Sequence, residues 1–147
     1  LKLSLDDNVF KCYLMDTGLL ISMAMGSSGD DYSAYRELML GKLSVNKGMF
    51  FENIVAQEFT SKGYDLIFNV FNVEKDTRLR EVDFILSHNG KIVPVEVKSS
   101  YSRRHSSLDR FMSAHKNIIE TAYVIHTGNL EVVDDIAYIP IYMAQFL

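Results

Sequence analysis

The sequence contains a single cysteine, Cys12, so an internal disulfide cannot form. A chain without disulfides fits a reducing compartment, and we expect a cytoplasmic location. No apolar run approaches the roughly 18 residues that a membrane-spanning helix needs, so we expect no membrane partner. The phosphate-binding pattern G-x-x-x-x-G-K-[ST] is absent as well, and these residues are therefore not expected to bind or hydrolyse ATP.

Positive charge is scarce across the chain as a whole. Its 15 lysines and arginines are outnumbered by 19 aspartates and glutamates, which gives a formal net charge of −4 at pH 7. A domain that binds nucleic acid through its overall field is basic, so any contact with DNA or RNA has to be local. The remaining composition, 48% hydrophobic and 23% charged over 147 residues, is typical of one folded globular domain.

A β-hairpin is the clearest local structure in the sequence. The dipeptide Asn89-Gly90 separates two runs, 80–86 and 93–98, in which apolar and polar residues alternate. Asn-Gly between such runs predicts a two-residue turn, and that turn sets the register of the whole ladder. The predicted pairs farthest from the turn are Asp83 with Glu96, Val82 with Val97 and Glu81 with Lys98. The face expected to meet the core carries Val82, Phe84, Leu86, Val93, Val95 and Val97.

Acidic residues meet on the other face of this predicted hairpin. Like charges directly opposite each other, such as Asp83 and Glu96, are destabilising unless something compensates them. A divalent cation such as Mg²⁺ prefers hard carboxylate oxygens, and Lys98 would then position or deprotonate the attacking water. The alternative is a solvated outer face on which Lys98 and Glu81 form a weak surface network with the acidic pair.

Helical and strand patterns alternate along the rest of the chain. Capping residues and glycine stops predict helices, and runs rich in aromatic and β-branched residues predict strands. The order of helix, strand, hairpin, helix and strand indicates an α/β fold with a mixed sheet. The predicted helices are 17–25, 32–40, 47–62, 106–116 and a closing turn at 140–147, and the other predicted strands are 11–15, 64–73, 121–127 and 130–133.

The predicted helix 47–62 carries a carboxylate on its apolar side. On a helical wheel, Glu52 falls within the arc of Phe51, Val55 and Phe59. A carboxylate that faces the interior is costly unless it is paired or binds a metal. Glu52 is therefore a candidate metal ligand, and the alternative is a structural salt bridge or hydrogen bond.

A local excess of positive charge follows Lys98. Between residues 99 and 116 only Asp109 opposes the basic side chains. Lysine and arginine contacts to phosphates provide most non-specific nucleic-acid binding, so this stretch is the candidate contact surface for DNA or RNA. The alternative is an ordinary exposed loop and helix. The candidate nucleic-acid-binding residues are Arg103, Arg104, Arg110 and Lys116.

The order of Asp83, a hairpin turn and Glu96-Val97-Lys98 resembles the PD-(D/E)xK nuclease superfamily, with Val82 where the superfamily's name has proline. The resemblance implies a restriction-endonuclease-like core, a mixed sheet with a central antiparallel hairpin flanked by helices. It implies that Asp83 and Glu96 bind Mg²⁺ or Mn²⁺ and that Glu52 adds a ligand from a preceding helix. It also implies that Asp83, Glu96 and Lys98 form the catalytic set of a phosphodiesterase that acts on nucleic acid.

Four sequence blocks together resemble a more specific family, the uncharacterised C-terminal domain of prokaryotic AAA-type ATPases. The blocks are 12–20, 48–53, 81–85 and 94–99. The resemblance implies an upstream ATPase module as partner, and the start at Leu1 instead of methionine agrees with a longer protein.

That resemblance divides the chain in two. We expect residues 1–26 to form a junction segment after the ATPase module and residues 27–147 to form the nuclease-like domain. Two functions stay open for this domain. One is a metal-dependent nuclease, and the other is an inactive nuclease fold that serves the ATPase as a binding or regulatory adaptor.

Overall fold

The computed structural model describes residues 9–25, 47–73, 76–88 and 90–147. These residues form an α/β fold, in agreement with the predicted fold class. The helices are α1 (Thr17–Met25), α2 (Lys47–Ser61), α3 (Ser106–Ala114) and a closing 3₁₀ helix (Ile141–Phe146). The strands are β1 (Asn69–Val73), β2 (Asp76–Val82), β3 (Phe84–His88), β4 (Lys91–Val97), β5 (Ala122–His126), β6 (Glu131–Val133) and β7 (Ile136–Pro140).

Two sheets organise the strands. Strands β1 and β2 form an antiparallel pair, and the other five form a mixed sheet in the order β3-β4-β5-β7-β6. Strands β4, β5 and β7 run parallel, whereas β3 and β6 pair antiparallel with their neighbours. The β3–β4 hairpin therefore lies along one edge of the mixed sheet instead of at its centre.

The hairpin keeps its predicted register only as far as Phe84. Pairing runs from His88↔Lys91 back to Phe84↔Val95, as the Asn-Gly turn predicts, and Gly90 has the positive φ of 76° that such a turn requires. The predicted ladder pairs Asp83↔Glu96, Val82↔Val97 and Glu81↔Lys98 are wrong. At Asp83 the chain bends, and the residues before it pair with β1 in the second sheet, because Val82 lies opposite Asn69 and Glu81 opposite Val70.

The bend also places apolar residues of β2 and β3 in different clusters. On one side of the mixed sheet, the closing 3₁₀ helix and α2 cover a core that includes Phe59, Phe84 and Val95. On the other side, α3 contributes Leu108 and Phe111 to two smaller clusters. Val82 is fully buried, as predicted, but it packs with Ile85 and Phe111 instead of sharing a cluster with Phe84.

Other differences from the predicted elements are local. Residues 11–15 do not form a strand and lead into α1 without regular secondary structure, and β1 begins at Asn69 instead of residue 64. Strand β2 begins at Asp76, before the predicted hairpin run 80–86, and β7 was not predicted. The predicted helix 32–40 lies outside the described residues. Among the helices that are described, none has the length and apolar character to cross a membrane.

Candidate metal centre

Asp83 reaches the end of β4 through the bend between β2 and β3. Its Oδ2 accepts a hydrogen bond of 2.7 Å from the backbone N–H of Val97. The side chain is mostly buried, with 16% of its surface exposed. Asp83 and the Glu96-Val97-Lys98 segment are thus brought together, although by a side-chain contact and not by the ladder pairing that the sequence predicted.

The environment of Asp83 disfavours its charged form. Burial, and next the negative charge of Glu96, raise the pKa of Asp83 to about 7, against the lowering effects of the Val97 N–H and of Lys11. A carboxyl group with a pKa near neutrality is a frequent feature of functional sites, because its protonation can change there under ordinary conditions.

Glu96 is buried and only half satisfied. Its Oε1 accepts a hydrogen bond of 2.6 Å from Lys98 Nζ, while its Oε2 has no hydrogen-bond partner among the described residues. Only 7% of the residue is exposed, so water has little access to an oxygen whose unmet hydrogen-bonding capacity costs free energy. A cation would give this oxygen a partner.

Glu52 points inward from α2, on the helix side that also buries Phe50, Val55 and Phe59. Its Oε1 accepts two hydrogen bonds of 2.6 Å, one from Lys11 Nζ and one from the hydroxyl of Tyr13. Burial, and then the hydrogen bond to Glu52, raise the pKa of Tyr13 well above its ordinary value, so its hydroxyl stays a donor. The sequence predicted a structural salt bridge as the alternative role of Glu52, and the structure contains one, with Lys11.

Lys11 lies at the centre of the acidic residues. Its Nζ pairs with Glu52, with Glu81 and, at 3.5 Å, with Oδ1 of Asp83. Burial by itself lowers the pKa of Lys11, but the hydrogen bonds to Glu52 and Glu81 and the charge of Asp83 outweigh it and raise the pKa. The sequence analysis missed this residue, since no spacing or motif connects position 11 with positions 52, 81 and 83.

A buried asparagine holds Lys11 in this place. Asn53, 1% exposed, accepts a hydrogen bond from Leu14 N at 2.8 Å and donates to Leu14 O at 3.0 Å and to Thr17 Oγ1 at 2.8 Å. These contacts fix the residues before α1 along α2. Lys11 and Tyr13, two residues apart in this segment, both reach Glu52.

The acidic residues fall into two groups that share Asp83. On one side, carboxylate oxygens of Glu52, Glu81 and Asp83 lie within 4.8 Å of one another, with Lys11 Nζ among them. On the other side is Glu96, which is not part of that group and whose ammonium partner is Lys98. The donor atoms are hard oxygens of the kind that Mg²⁺ and Mn²⁺ prefer, and among the described residues the carboxylates of Glu52, Glu81 and Asp83 lie close enough together to fit one divalent cation. Glu96 Oε2, which has no hydrogen-bond partner in that part of the chain, offers a further oxygen.

The predicted nucleic-acid-binding residues lie beyond the end of β4. Arg103 forms a salt bridge with Glu131, in which Nη2 donates hydrogen bonds of 2.5 and 2.8 Å to the two carboxylate oxygens. The side chains of Arg104, of Arg110 on α3 and of Lys116 beyond α3 are exposed. Within the described structure, none of these basic residues contacts Asp83, Glu52 or Glu96.

Comparison with known proteins places the chain in a family whose activity is open. No curated protein and no solved structure matches it. A family model, described as a domain of unknown function (DUF4143), matches residues 47–144, which include α2, the hairpin and all the predicted catalytic residues. This match agrees with the resemblance to an uncharacterised domain, while membership of the nuclease superfamily stays a prediction. Because the match covers about two-thirds of the sequence, the chain belongs to the DUF4143 family.

Proposed function

We propose that this chain is a nuclease-like domain that serves a prokaryotic ATPase and hydrolyses phosphodiester bonds of nucleic acid with Mg²⁺ or Mn²⁺. The observation that carries the proposal is the pair of acids at the end of β4. Asp83 is held there by Val97 N, and beside it Glu96 is buried with one oxygen unpaired among the described residues. The charge of Glu96 also helps to keep the pKa of Asp83 near 7, as expected for two carboxylates that share one site.

The proposed roles follow from the positions of the side chains. Asp83 and Glu96 would hold the cation, and Glu52 would add a ligand directly or through water. The bound cation would polarise a phosphoryl oxygen and lower the pKa of a water molecule. Lys98, with its ammonium 2.6 Å from Glu96 Oε1, would hold the attacking water or balance the negative charge that develops on the phosphate.

Calorimetric titration with Mg²⁺ and Mn²⁺ tests this assignment. We expect the wild-type chain to bind one of these metals at or below millimolar concentration, and Asp83→Asn and Glu96→Gln to bind at least about tenfold more weakly, since each loses a charged ligand. Asp135→Asn, at an exposed position, is the matched control and should bind as the wild type does. Cleavage of labelled DNA and RNA should need both the metal and the two acids.

The opposite result would be equally clear. A wild-type chain that binds neither metal at several millimolar has no such site, and the proposed hydrolysis would be wrong.

A second candidate is supported by Lys11. Its ammonium already neutralises the acidic group on the α2 side of Asp83, as a bound cation would. This favours a domain that keeps the nuclease fold and acts as an adaptor for the ATPase without catalysis. In that case calorimetry detects no metal binding, and Asp83→Asn in the full-length protein leaves ATP hydrolysis and its regulation unchanged.

A further inference from the structure

An exposed aromatic ring stands beyond the end of β4. Tyr101 is 56% exposed, and part of its ring packs on the ring of His126, with centroids 5.4 Å apart. Gly128 allows this contact, because a Cβ there would lie 2.5 Å from Tyr101 Cδ2 and 2.7 Å from His126 Cε1. The ring is thus supported from within the protein while much of its surface meets solvent.

The orientation of Tyr101 is fixed at its hydroxyl as well. Arg103 Nε donates a hydrogen bond of 3.1 Å to the Tyr101 hydroxyl. The same guanidinium is held by its two hydrogen bonds to Glu131. A ring fixed in this way loses little conformational entropy when a ligand stacks on it, and such preorganisation favours binding.

The position of Tyr101 connects it with the proposed site. Strands β4 and β5 are parallel, with Val97 opposite Ile125, and Lys98 N donates to Ile125 O at 2.7 Å. The next residues, Lys98 and His126, therefore leave the same edge of the sheet side by side. Alternation along the strands puts both side chains on the face that α3 covers, so the ring that rests on His126 lies on the same face as Lys98.

We propose that Tyr101 is a stacking platform for one base of a single-stranded nucleic acid whose adjoining phosphodiester reaches Glu96 and Lys98. This inference rests on the proposed function and names its substrate class. Any base can stack on an aromatic face, but a base within a duplex is already stacked on its neighbours, so the platform selects single strands. The exposed Arg104 and the ammonium of Lys98 supply positive charge for the phosphates on either side.

Fluorescence anisotropy with a labelled oligothymidylate, in EDTA and at low salt, tests the platform apart from the metal. The wild-type chain should bind the single strand more tightly than a duplex of equal length. Tyr101→Leu should weaken binding of the single strand about tenfold, as expected for the loss of one base stack, whereas Tyr101→Phe should bind within about twofold of the wild type because the ring remains.

Tyr142→Leu is the matched control. Tyr142 is 70% exposed and lies on the closing 3₁₀ helix, which packs on the opposite side of the sheet. This variant should bind the oligonucleotide as the wild type does, and thermal melting should show that all variants are folded.

The platform would be wrong if Tyr101→Leu bound the single strand like the wild type, if the duplex were preferred, or if no single strand bound at low salt. These results are separate from a failure of the proposed hydrolysis. Binding that depends on Tyr101 in a chain that takes up no metal would support the platform and refute the nuclease. Metal binding through Asp83 and Glu96, together with single-strand binding that Tyr101→Leu does not weaken, would support the nuclease and refute the platform.

Discussion

On each side of Asp83 a lysine pairs with carboxylates, but the two sides differ in how completely the carboxylate oxygens are paired. On the α2 side, the ammonium of Lys11 pairs with Glu52, Glu81 and Asp83, and the hydroxyl of Tyr13 adds a further donor to Glu52. We call this set, Lys11, Tyr13, Glu52 and Glu81, the Lys11 cluster.

On the β4 side, the Glu96 pair consists of Glu96 and Lys98. It also contains an ammonium 2.6 Å from a carboxylate oxygen, but the second oxygen of Glu96 has no partner in the described part of the chain. The Lys11 cluster is therefore internally compensated, whereas the Glu96 pair is incomplete. A cation bound at the proposed site would give Glu96 the partner that Lys11 already gives to Glu52, Glu81 and Asp83.

The largest expected effect is a pH-dependent change on replacing Asp83. Its pKa is raised in the folded chain to about 7 from 3.8, so between these values the folded state holds a proton that the unfolded state releases. Stability contributed by this group is present at low pH and is lost as the pH rises to about 7. A shift of about 3 units corresponds to at most a cost on the order of 4 kcal/mol above pH 7.

Urea unfolding between pH 4 and pH 8.5 measures this effect. Asp83→Asn should be more stable than the wild type at pH 8, and the advantage should vanish toward pH 4. The exposed Asp135→Asn should show no such trend. An advantage of Asp83→Asn that is equal at all pH values would mean that the pKa of Asp83 is not raised in the folded chain.

Removing the cation of the Lys11 cluster should have the next largest effect. Lys11→Met keeps the aliphatic chain but leaves Glu52, Glu81 and Asp83 together without their ammonium. Loss of one partner from a largely buried ion pair costs about 3 kcal/mol or more, so we expect a loss of unfolding free energy of that order at pH 7.5.

Lys62→Met is the matched control for this variant. Lys62 is exposed and its ammonium donates to the carbonyl of Leu147, so the change should cost well under about 1 kcal/mol. If Lys11→Met were equally harmless, the Lys11 cluster would not be a structural unit. A divalent cation that restored the stability of Lys11→Met, with no effect on Lys62→Met, would show that the ammonium and a metal serve the same purpose there.

The smallest expected effect is a lower pKa of Asp83 when Glu96 is replaced. Glu96→Gln keeps the shape of the side chain but removes its negative charge, which is the second largest cause of the raised pKa of Asp83. The pKa of Asp83 should therefore move down, as followed by NMR titration of its carboxyl carbon. Glu131→Gln, which alters a partner of Arg103, should leave it unchanged. An unaltered pKa in Glu96→Gln would show that Asp83 and Glu96 do not form one site.

Much of the hairpin could be read from local sequence, but the bend in it could not. Asn89-Gly90 and the alternation of β3 and β4 specify pairing near the turn, since each residue's partner depends on how far it lies from the turn. Asp83 is flanked by equally regular alternation on both sides. Nothing in that pattern indicates that β2 leaves the ladder to pair with β1. The β1–β2 pairing depends on packing against α3, and the Asn-Gly turn does not influence it.

The candidate site divides in the same way. Asp83, Glu96, Lys98 and the inward direction of Glu52 were all accessible from motif order and helical periodicity. Lys11 was not, because it lies 41 positions from Glu52 along the chain and tertiary contacts, among them the hydrogen bonds of buried Asn53 to Leu14 and Thr17, bring the two together.

By itself the sequence determined the helices around α2 and α3, the turn of the hairpin and the Glu-x-Lys motif on one strand face. These depend on contacts within a few residues, where backbone geometry leaves few alternatives. Only the tertiary structure decided that Asp83 bends out of the ladder, that Lys11 enters the acidic cluster and that Glu96 keeps an unpaired oxygen. Each of these depends on which distant groups share a buried space, and burial makes the pairing of charges there energetically decisive.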